Sequence, residues 1–514
     1  MKALSKKIYL QLPKPTDTDM RGDKERIISS LPEEYTPAYM SYKVLKELYP
    51  VCRKSDWCIT LTLVYQLEKW EIIKIESGDT TDKLYGFAVD LGSTTVAMQA
   101  VDLLSGEVLA EETLFNQQIE FGQDILSRIF SVQEKPENLA KLQAVTVKTF
   151  SHLIAGLCRK VNLSAEDFSI MVIAGNTTMI HFLLGINPWP VFQTPFCPVF
   201  NAPDFIEASQ LSLPFSGMVY CFPSVANYLG GDIISGLLLA DLQKEKQSAI
   251  FIDIGTNGEI VLSYDGLLLA AAGAAGPALE GGVSQSGMRA TAGAVDTVLI
   301  DNGVLKLTTI DNEKPKGICG SGIVDLLAQL FLNGIIDFSG KFIPDSSDRV
   351  IKRNGQYVFV YAWEDESYNG DMLIFTQIDI NQFLDTKAAA HTMVAFLLDA
   401  LSLDLSKVDK FYTAGAFGKY LNLESAITIG LYPDLPRDKF VSLGNSSLQG
   451  AYMLLTDRTL LAKVKNIQES IEYLQLGSAD NYLTLMIAAK FLPHTNLEIY
   501  PSVKADLIKR GILK

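Results

Sequence analysis

Several signals that would declare a function outright are missing from this chain. Its six cysteines, Cys52, Cys58, Cys158, Cys197, Cys221 and Cys319, are scattered and include no C-x2-C pair. That excludes a secreted disulfide framework and the ligand set of a plant-type ferredoxin, and leaves small apolar residues in a reducing cytoplasm. The four histidines, His152, His181, His391 and His494, follow no metal-ligand spacing, and H-E-x-x-H does not occur. No G-x-S-x-G elbow and no G-x-x-x-x-G-K-S/T loop is found, so serine-hydrolase and P-loop readings have no local support. Positive charge is scarce: the net charge is −15, which argues against a nucleic-acid partner read through its phosphates. Long apolar runs are scarce too. The longest stretch without Asp, Glu, Lys or Arg, residues 168–203, is interrupted by Asn176, Thr177, Thr178 and His181 and broken by Pro188, Pro190, Pro195 and Pro198. A membrane span needs about 20 predominantly apolar residues, so no membrane is expected, and no apolar segment of a signal peptide follows the first lysines.

What remains is the balance of a folded protein, 48% apolar and 20% charged over 514 residues, a length for two to four domains. Its organising feature is a repeat. Residues 85–112 (YGFAVDLGSTTVAMQAVDLLSGEVLAEE) and 249–271 (AIFIDIGTNGEIVLSYDGLLLAA) each run from an apolar strand through D-x-G-S/T into a second strand, a Gly-containing turn and a third strand. A glycine lets backbone N–H groups approach an anion, and the neighbouring hydroxyls add donors. An aspartate beside phosphate needs a cation between them, and Mg²⁺ held through water would satisfy both. Taken singly, each turn is also an ordinary polar β-turn; the matched pair favours phosphate.

In chain order, residues 1–30 contain strand-like KIYLQL and a Pro-rich polar linker. Residues 31–82 form a small α+β domain, with Thr36-Pro37 opening a helix to Tyr49 and strands at 57–65 and 70–75. A first lobe follows over 83–245. Within it 116–130 and 136–161 show helical spacing, and Gly175-Asn176-Thr177-Thr178 makes a ligand-facing turn between a strand and a helix. Gly230-Gly231-Asp232 precedes another helix, where Asp232 is either a capping carboxylate or a general base. A second lobe covers 246–514, with C-terminal helices returning to the first lobe. Gly-rich 271–294 reads as loops. Gly320-Ser321-Gly322 opens an apolar helix, either receiving an anion or packing tightly. Residues 340–380 give no assignment. In Gly415-Ala416-Phe417-Gly418, Phe417 lies against a base or in the core.

The order of these pieces resembles the ASKHA superfamily of actin, sugar kinases and heat-shock chaperone ATPases. Asp90-Leu91-Gly92-Ser93-Thr94-Thr95 matches its first phosphate motif, Asp253-Ile254-Gly255-Thr256 its second, and Ala414-Gly415-Ala416-Phe417-Gly418 its adenosine motif. Within the superfamily the chain resembles the ATP-dependent reductive activators of corrinoid proteins, through YLQLPKPTDTDMRGDKERI, NQQIEFGQDILSRI, AGNTTMIH, YLGGDI, DIGTNGEI, GPALEGGVSQSGMRA, GICGSGIVD and TAGAFGKYLN. The resemblance implies an α/β, two-lobed ASKHA fold behind the small α+β domain, and a cytoplasmic ATPase that restores Co(I) from Co(II) on a corrinoid protein.

By the same resemblance, Asp90 and Asp253 position Mg²⁺. Gly92, Ser93, Thr94, Thr95, Gly255, Thr256, Asn257, Gly258, Gly320, Ser321 and Gly322 serve the phosphates, Gly415, Ala416, Phe417 and Gly418 the adenosine, and Asp232 the attacking water. A homodimer through residues 31–82 is implied as well. Relatives commonly carry an iron–sulfur domain. This chain offers no cluster-binding cysteines, so no cluster is expected in it and its electron would come from a separate donor or a missing ferredoxin domain. The alternatives are a sugar-type kinase, with Asp232 deprotonating a substrate hydroxyl, and a nucleotide-gated scaffold.

Overall fold

A computed structural model describes residues 2–242, 248–255, 258–273, 284–415, 420–476 and 482–513. They divide into two compact units, Met1–Asp241 with Ser446–Ser470, and Leu242–Asn445 with Ile471–Lys514.

The first unit begins with a separate small domain. Strands β1 (Ser5–Gln11), β2 (Ala38–Met40), β3 (Cys58–Tyr65) and β4 (Trp70–Ser77) form a sheet in the order β1-β3-β4-β2. The KIYLQL strand is therefore part of this sheet: β1 runs antiparallel to β3 from Ser5 opposite Val64 to Gln11 opposite Cys58. Thr36-Pro37 does not open a helix. Ala38–Met40 is extended, Pro37 sits beside that edge strand where its missing N–H costs nothing, and the Pro37 carbonyl accepts the Trp70 N–H at 3.0 Å. The helix Tyr42–Lys54 starts instead after Ser41, whose Oγ takes the Val44 N–H at 3.3 Å, because a hydroxyl cap satisfies one of the unpaired first-turn donors.

The lobe that follows is an α/β sheet of β5 (Tyr85–Leu91), β6 (Thr95–Asp102), β7 (Val108–Phe115), β8 (Phe168–Gly175), β9 (Ile206–Glu207) and β10 (Met218–Cys221), ordered β7-β6-β5-β8-β10-β9. β5, β6 and β7 form an antiparallel meander, while β8 and β10 run parallel to β5. β8 is buried over its whole length, the pattern of a parallel strand covered on both faces. The helix Asn138–Val161 packs on the β6–β7 side, and Ser446–Thr456 packs against β5 and β8, so a late segment of chain completes this unit. The expected helical stretch 116–130 splits into a short turn, Gln117–Phe121, and a helix, Ile125–Glu134. Each has its own cap: Asn116 accepts the Gln118 N–H at 3.0 Å and Asp124 the Ser127 N–H at 2.7 Å.

The second unit repeats the plan. Its main sheet contains β11 (Ala249–Ile254), β12 (Gly258–Tyr264) and β13 (Leu267–Gly273), again an antiparallel meander. Two further sheets are built from β14 (Ala294–Asp301), β15 (Val304–Thr309) and β16 (Gly317–Ile318), and from β17 (Val350–Arg353), β18 (Gln356–Ala362) and β19 (Leu373–Thr376). The latter three occupy the stretch 340–380. β20 (Lys410–Ala414) and β21 (Phe440–Gly444) then continue the main sheet in parallel with β11, and β22 (Ile471–Tyr473) adds to its other edge, giving β21-β20-β11-β12-β13-β22. Both sheets share one core: the meander in the order third, second, first strand, followed by two strands parallel to the first (β8 and β10, or β20 and β21), with the short β9 added beyond β10 and β22 added beyond β13. Among the described residues no helix is long and apolar enough to cross a membrane.

Candidate nucleotide site

Each repeat places one aspartate at the penultimate position of its first strand: Asp90 in β5 and Asp253 in β11. Each aspartate also faces an alanine followed by glycine on the neighbouring parallel strand, Asp90 opposite Ala174 before Gly175, and Asp253 opposite Ala414 before Gly415. The equivalence therefore reaches past the hairpins to the fourth strand: Ala174-Gly175 in one lobe is the counterpart of Ala414-Gly415 in the other. In open α/β sheets ligands collect at the carboxyl ends of parallel strands, and these turns lie there.

In the first lobe the turn after Asp90 is tight. A Cβ on Gly92 would stand 2.7 Å from the Thr95 carbonyl oxygen. Gly92, Ser93, Thr94 and Thr95 are all half-buried. The Gly230-Gly231-Asp232 segment is pressed against the ends of β8 and β10. A Cβ on Gly230 would meet Asn176 Cα and the Thr177 nitrogen at 2.7 Å each, and one on Gly231 would meet Phe222 Cβ at 2.6 Å. These glycines carry Asp232 to the same end of the sheet as the Asn176 turn. Its Oδ1 accepts the Ile233 N–H at 2.9 Å in the first turn of the helix Gly231–Ala240, yet burial outweighs that bond and pushes the carboxyl up to about 6.

In the second lobe a Cβ on Gly415 would stand 2.8 Å from Asp253 Oδ1, so only glycine lets the backbone of the third motif approach the carboxylate this closely. Gly258 opens β12 opposite Ile254, and Gly255 is half-buried. The Tyr432 phenol, raised by burial and then by the charge of Asp253, stays protonated. Gly320, Ser321 and Gly322 begin the helix Gly320–Leu332. Gly322 packs so closely on β14 that a Cβ would be 2.3 Å from the Val295 carbonyl oxygen. Thr256, Asn257, Ala416, Phe417 and Gly418 lie outside the described residues.

Two residues at the first turn were not singled out by the motifs. Asn116 and Arg128 are both fully buried; Asn116 Nδ2 donates to the Gly92 carbonyl at 2.9 Å and Arg128 Nη2 to the Ser93 carbonyl at 2.7 Å. The available signal was spacing, because Ile125, Arg128, Ile129 and Val132 form one buried helix face with an arginine in it.

Comparison with known proteins agrees with this architecture. Residues 247–504 match the family described as the C-terminal domain of RACo, the ASKHA domain, 85–245 match the RACo middle region, and 1–82 the RACo linker region. Corrinoid activation enzyme RamQ of Eubacterium limosum is 32% identical over 428 residues, 81% of this chain and 72% of the relative. The Co(II) methylated amine-specific corrinoid protein reductase of Methanosarcina barkeri is 22% identical over 430 residues, 78% of this chain and 75% of the relative. A solved structure of a reductive activator for corrinoid, iron-sulfur protein superposes with a TM-score of 0.89 at 38% identity, covering 98% of this chain and 81% of that one. The chain belongs to the RACo family of corrinoid reductive activators, with an ASKHA domain in its C-terminal half.

Proposed function

We propose that this protein hydrolyses ATP to drive the one-electron reduction of an inactive Co(II) corrinoid protein to Co(I). The observation that carries the reading is the duplicated placement of Asp90 and Asp253, each beside a glycine turn at a strand end, in a chain of this family. Among the described residues no group of three or more His, Cys, Asp and Glu side chains gathers as a metal cage. Single carboxylates suit Mg²⁺, which keeps most of its waters and is held by one or two carboxylates together with phosphate oxygens. Asp90 and Asp253 would hold it, and when bound it neutralises phosphate charge.

The turns 92–95 and 255–258 bind the phosphates through backbone N–H groups and hydroxyls, and 415–418 holds the adenosine. Asp232, with its carboxyl near 6, is ionised at neutral pH and basic enough to orient the attacking water. The electron comes from an iron–sulfur domain or protein other than the cysteines of this chain, and hydrolysis to ADP and phosphate accompanies its passage to cobalt. The protein works in the cytoplasm as a homodimer through residues 31–82, a surface on which Tyr39, Tyr42 and Tyr49 are exposed.

The test is spectroscopic. Protein, ATP, Mg²⁺, a low-potential iron–sulfur donor and a Co(II) corrinoid protein are combined, and the Co(I) absorption is followed. The reading predicts formation of Co(I) that requires hydrolysable ATP. Equal reduction without nucleotide would refute it.

A further inference from the structure

The turn after Asp90 is held from behind by a connected buried network. Asn116 Nδ2 donates to the Gly92 carbonyl at 2.9 Å, Arg128 Nη2 donates to the Ser93 carbonyl at 2.7 Å, and the Asn116 backbone N–H donates to the Thr94 carbonyl at 2.9 Å. Three consecutive carbonyls are thus drawn to one side. In a planar trans peptide the carbonyl and the N–H point in opposite directions. Fixing the Gly92 and Ser93 carbonyls inward therefore turns the N–H groups of Ser93 and Thr94 to the other side, the arrangement of successive donors that receives an anion.

The brace is itself braced. Arg128 Nη1 donates to Gln118 Oε1 at 3.1 Å and Nε to the Gly122 carbonyl at 3.0 Å, while Gln118 Nε2 donates to Thr146 Oγ1 at 2.6 Å on the long helix. Asn116 Oδ1 is occupied by the Gln118 N–H at 3.0 Å, which fixes which end of the amide faces Gly92. Asn116, Gln118, Arg128 and Thr146 are all fully buried. A guanidinium in that setting acts in two ways. It holds the peptide plane, and by polarising the Ser93–Thr94 peptide it strengthens Thr94 N–H as a donor.

We infer that Asn116 and Arg128 are positioning residues for the first phosphate turn, setting the direction and strength of the donors that the polyphosphate of the nucleotide meets. Neither side chain touches the nucleotide. The inference rests on the ATP reading above and deepens it by assigning phosphate recognition to a pair of buried side chains outside the motif.

The experiment titrates Mg-ATP and adenosine separately into the full chain, as wild type, as Arg128→Lys and as Asn116→Asp, with a thermal melt of each. Asn116→Asp keeps the shape of the side chain and the acceptor for the Gln118 N–H while replacing the donor to Gly92 with an oxygen. The expected result is Mg-ATP affinity lowered roughly 10- to 100-fold, the scale of one hydrogen bond involving a charged group, with adenosine affinity unchanged and a cooperative melt retained. Equal loss for ATP and adenosine, or unchanged ATP affinity in folded variants, overturns the inference. Loss of the cooperative melt in both variants overturns it too, because the pair would then be determinants of the core. A wild type that binds adenosine but gains nothing from the phosphates refutes the underlying ATP reading instead.

Discussion

A methyl group on Gly415 would lie 2.8 Å from Oδ1 of Asp253, at a backbone φ of +83°. Two independent penalties therefore meet in Gly415→Ala. A left-handed conformation costs a side-chain-bearing residue about 1–3 kcal/mol, and the methyl displaces the carboxylate proposed to position Mg²⁺. The variant is expected to lose stability on that scale in denaturant melts and, where still folded, to bind Mg-ATP more weakly than wild type. Unchanged affinity and stability would show that Asp253 and the third motif are not packed as described.

Asp232 carries a pH signature. Its folded-state carboxyl is raised from 3.8 to about 6 by burial. Between those values the unfolded chain has released the proton and the folded chain still holds it. Stability therefore declines as pH rises from about 4 to about 6 and is level above. At neutral pH this amounts to a penalty on the order of 2–3 kcal/mol. Asp232→Asn is expected to melt later than wild type, by more at pH 7 than at pH 4. Because the working form is ionised, wild-type hydrolysis is expected to fall as pH drops through about 6, and in the variant to be low at every pH. A less stable, fully active variant would contradict the assignment.

What the sequence discloses follows from where each interaction is encoded. The paired D-x-G-S/T turns were legible because the glycine, the aspartate and the flanking apolar strands are contiguous in sequence. The fourth-strand match of Ala174-Gly175 with Ala414-Gly415 was less so, since it becomes an equivalence only once β8 and β20 are seen in register with β5 and β11. KIYLQL is legible as a strand, but its place in the sheet of the small domain is not, because its partner strand is some fifty residues away, opposite Val64 to Cys58. The role of Arg128 is not legible for a different reason: it recognises main-chain carbonyls, which leave no complementary residue in the sequence.

Lys387 offers a test of the second unit. Its buried Nζ donates to the carbonyls of Ala489, Phe491 and Pro493, the last two at 2.5 Å. Beside it, His391 and His494 lie with ring centroids 5.0 Å apart. Burial and then the Lys387 charge lower both, His391 to about 3. Lys387→Met would leave three carbonyls without their donor, at a cost of about 1–3 kcal/mol for each that water cannot reach. The expected outcome is a large drop in melting temperature, with new protease cleavage around 489–493. A variant as stable as wild type would show that the segment is anchored by its apolar contacts alone.

Whether nucleotide hydrolysis serves a corrinoid partner is tested by measuring phosphate release from Mg-ATP with and without a Co(II) corrinoid protein, in wild type and in Asp253→Ala. Hydrolysis is expected to be stimulated by the Co(II) protein and lost when Asp253 is replaced. Hydrolysis that ignores the corrinoid protein, or that survives in Asp253→Ala, would contradict that role.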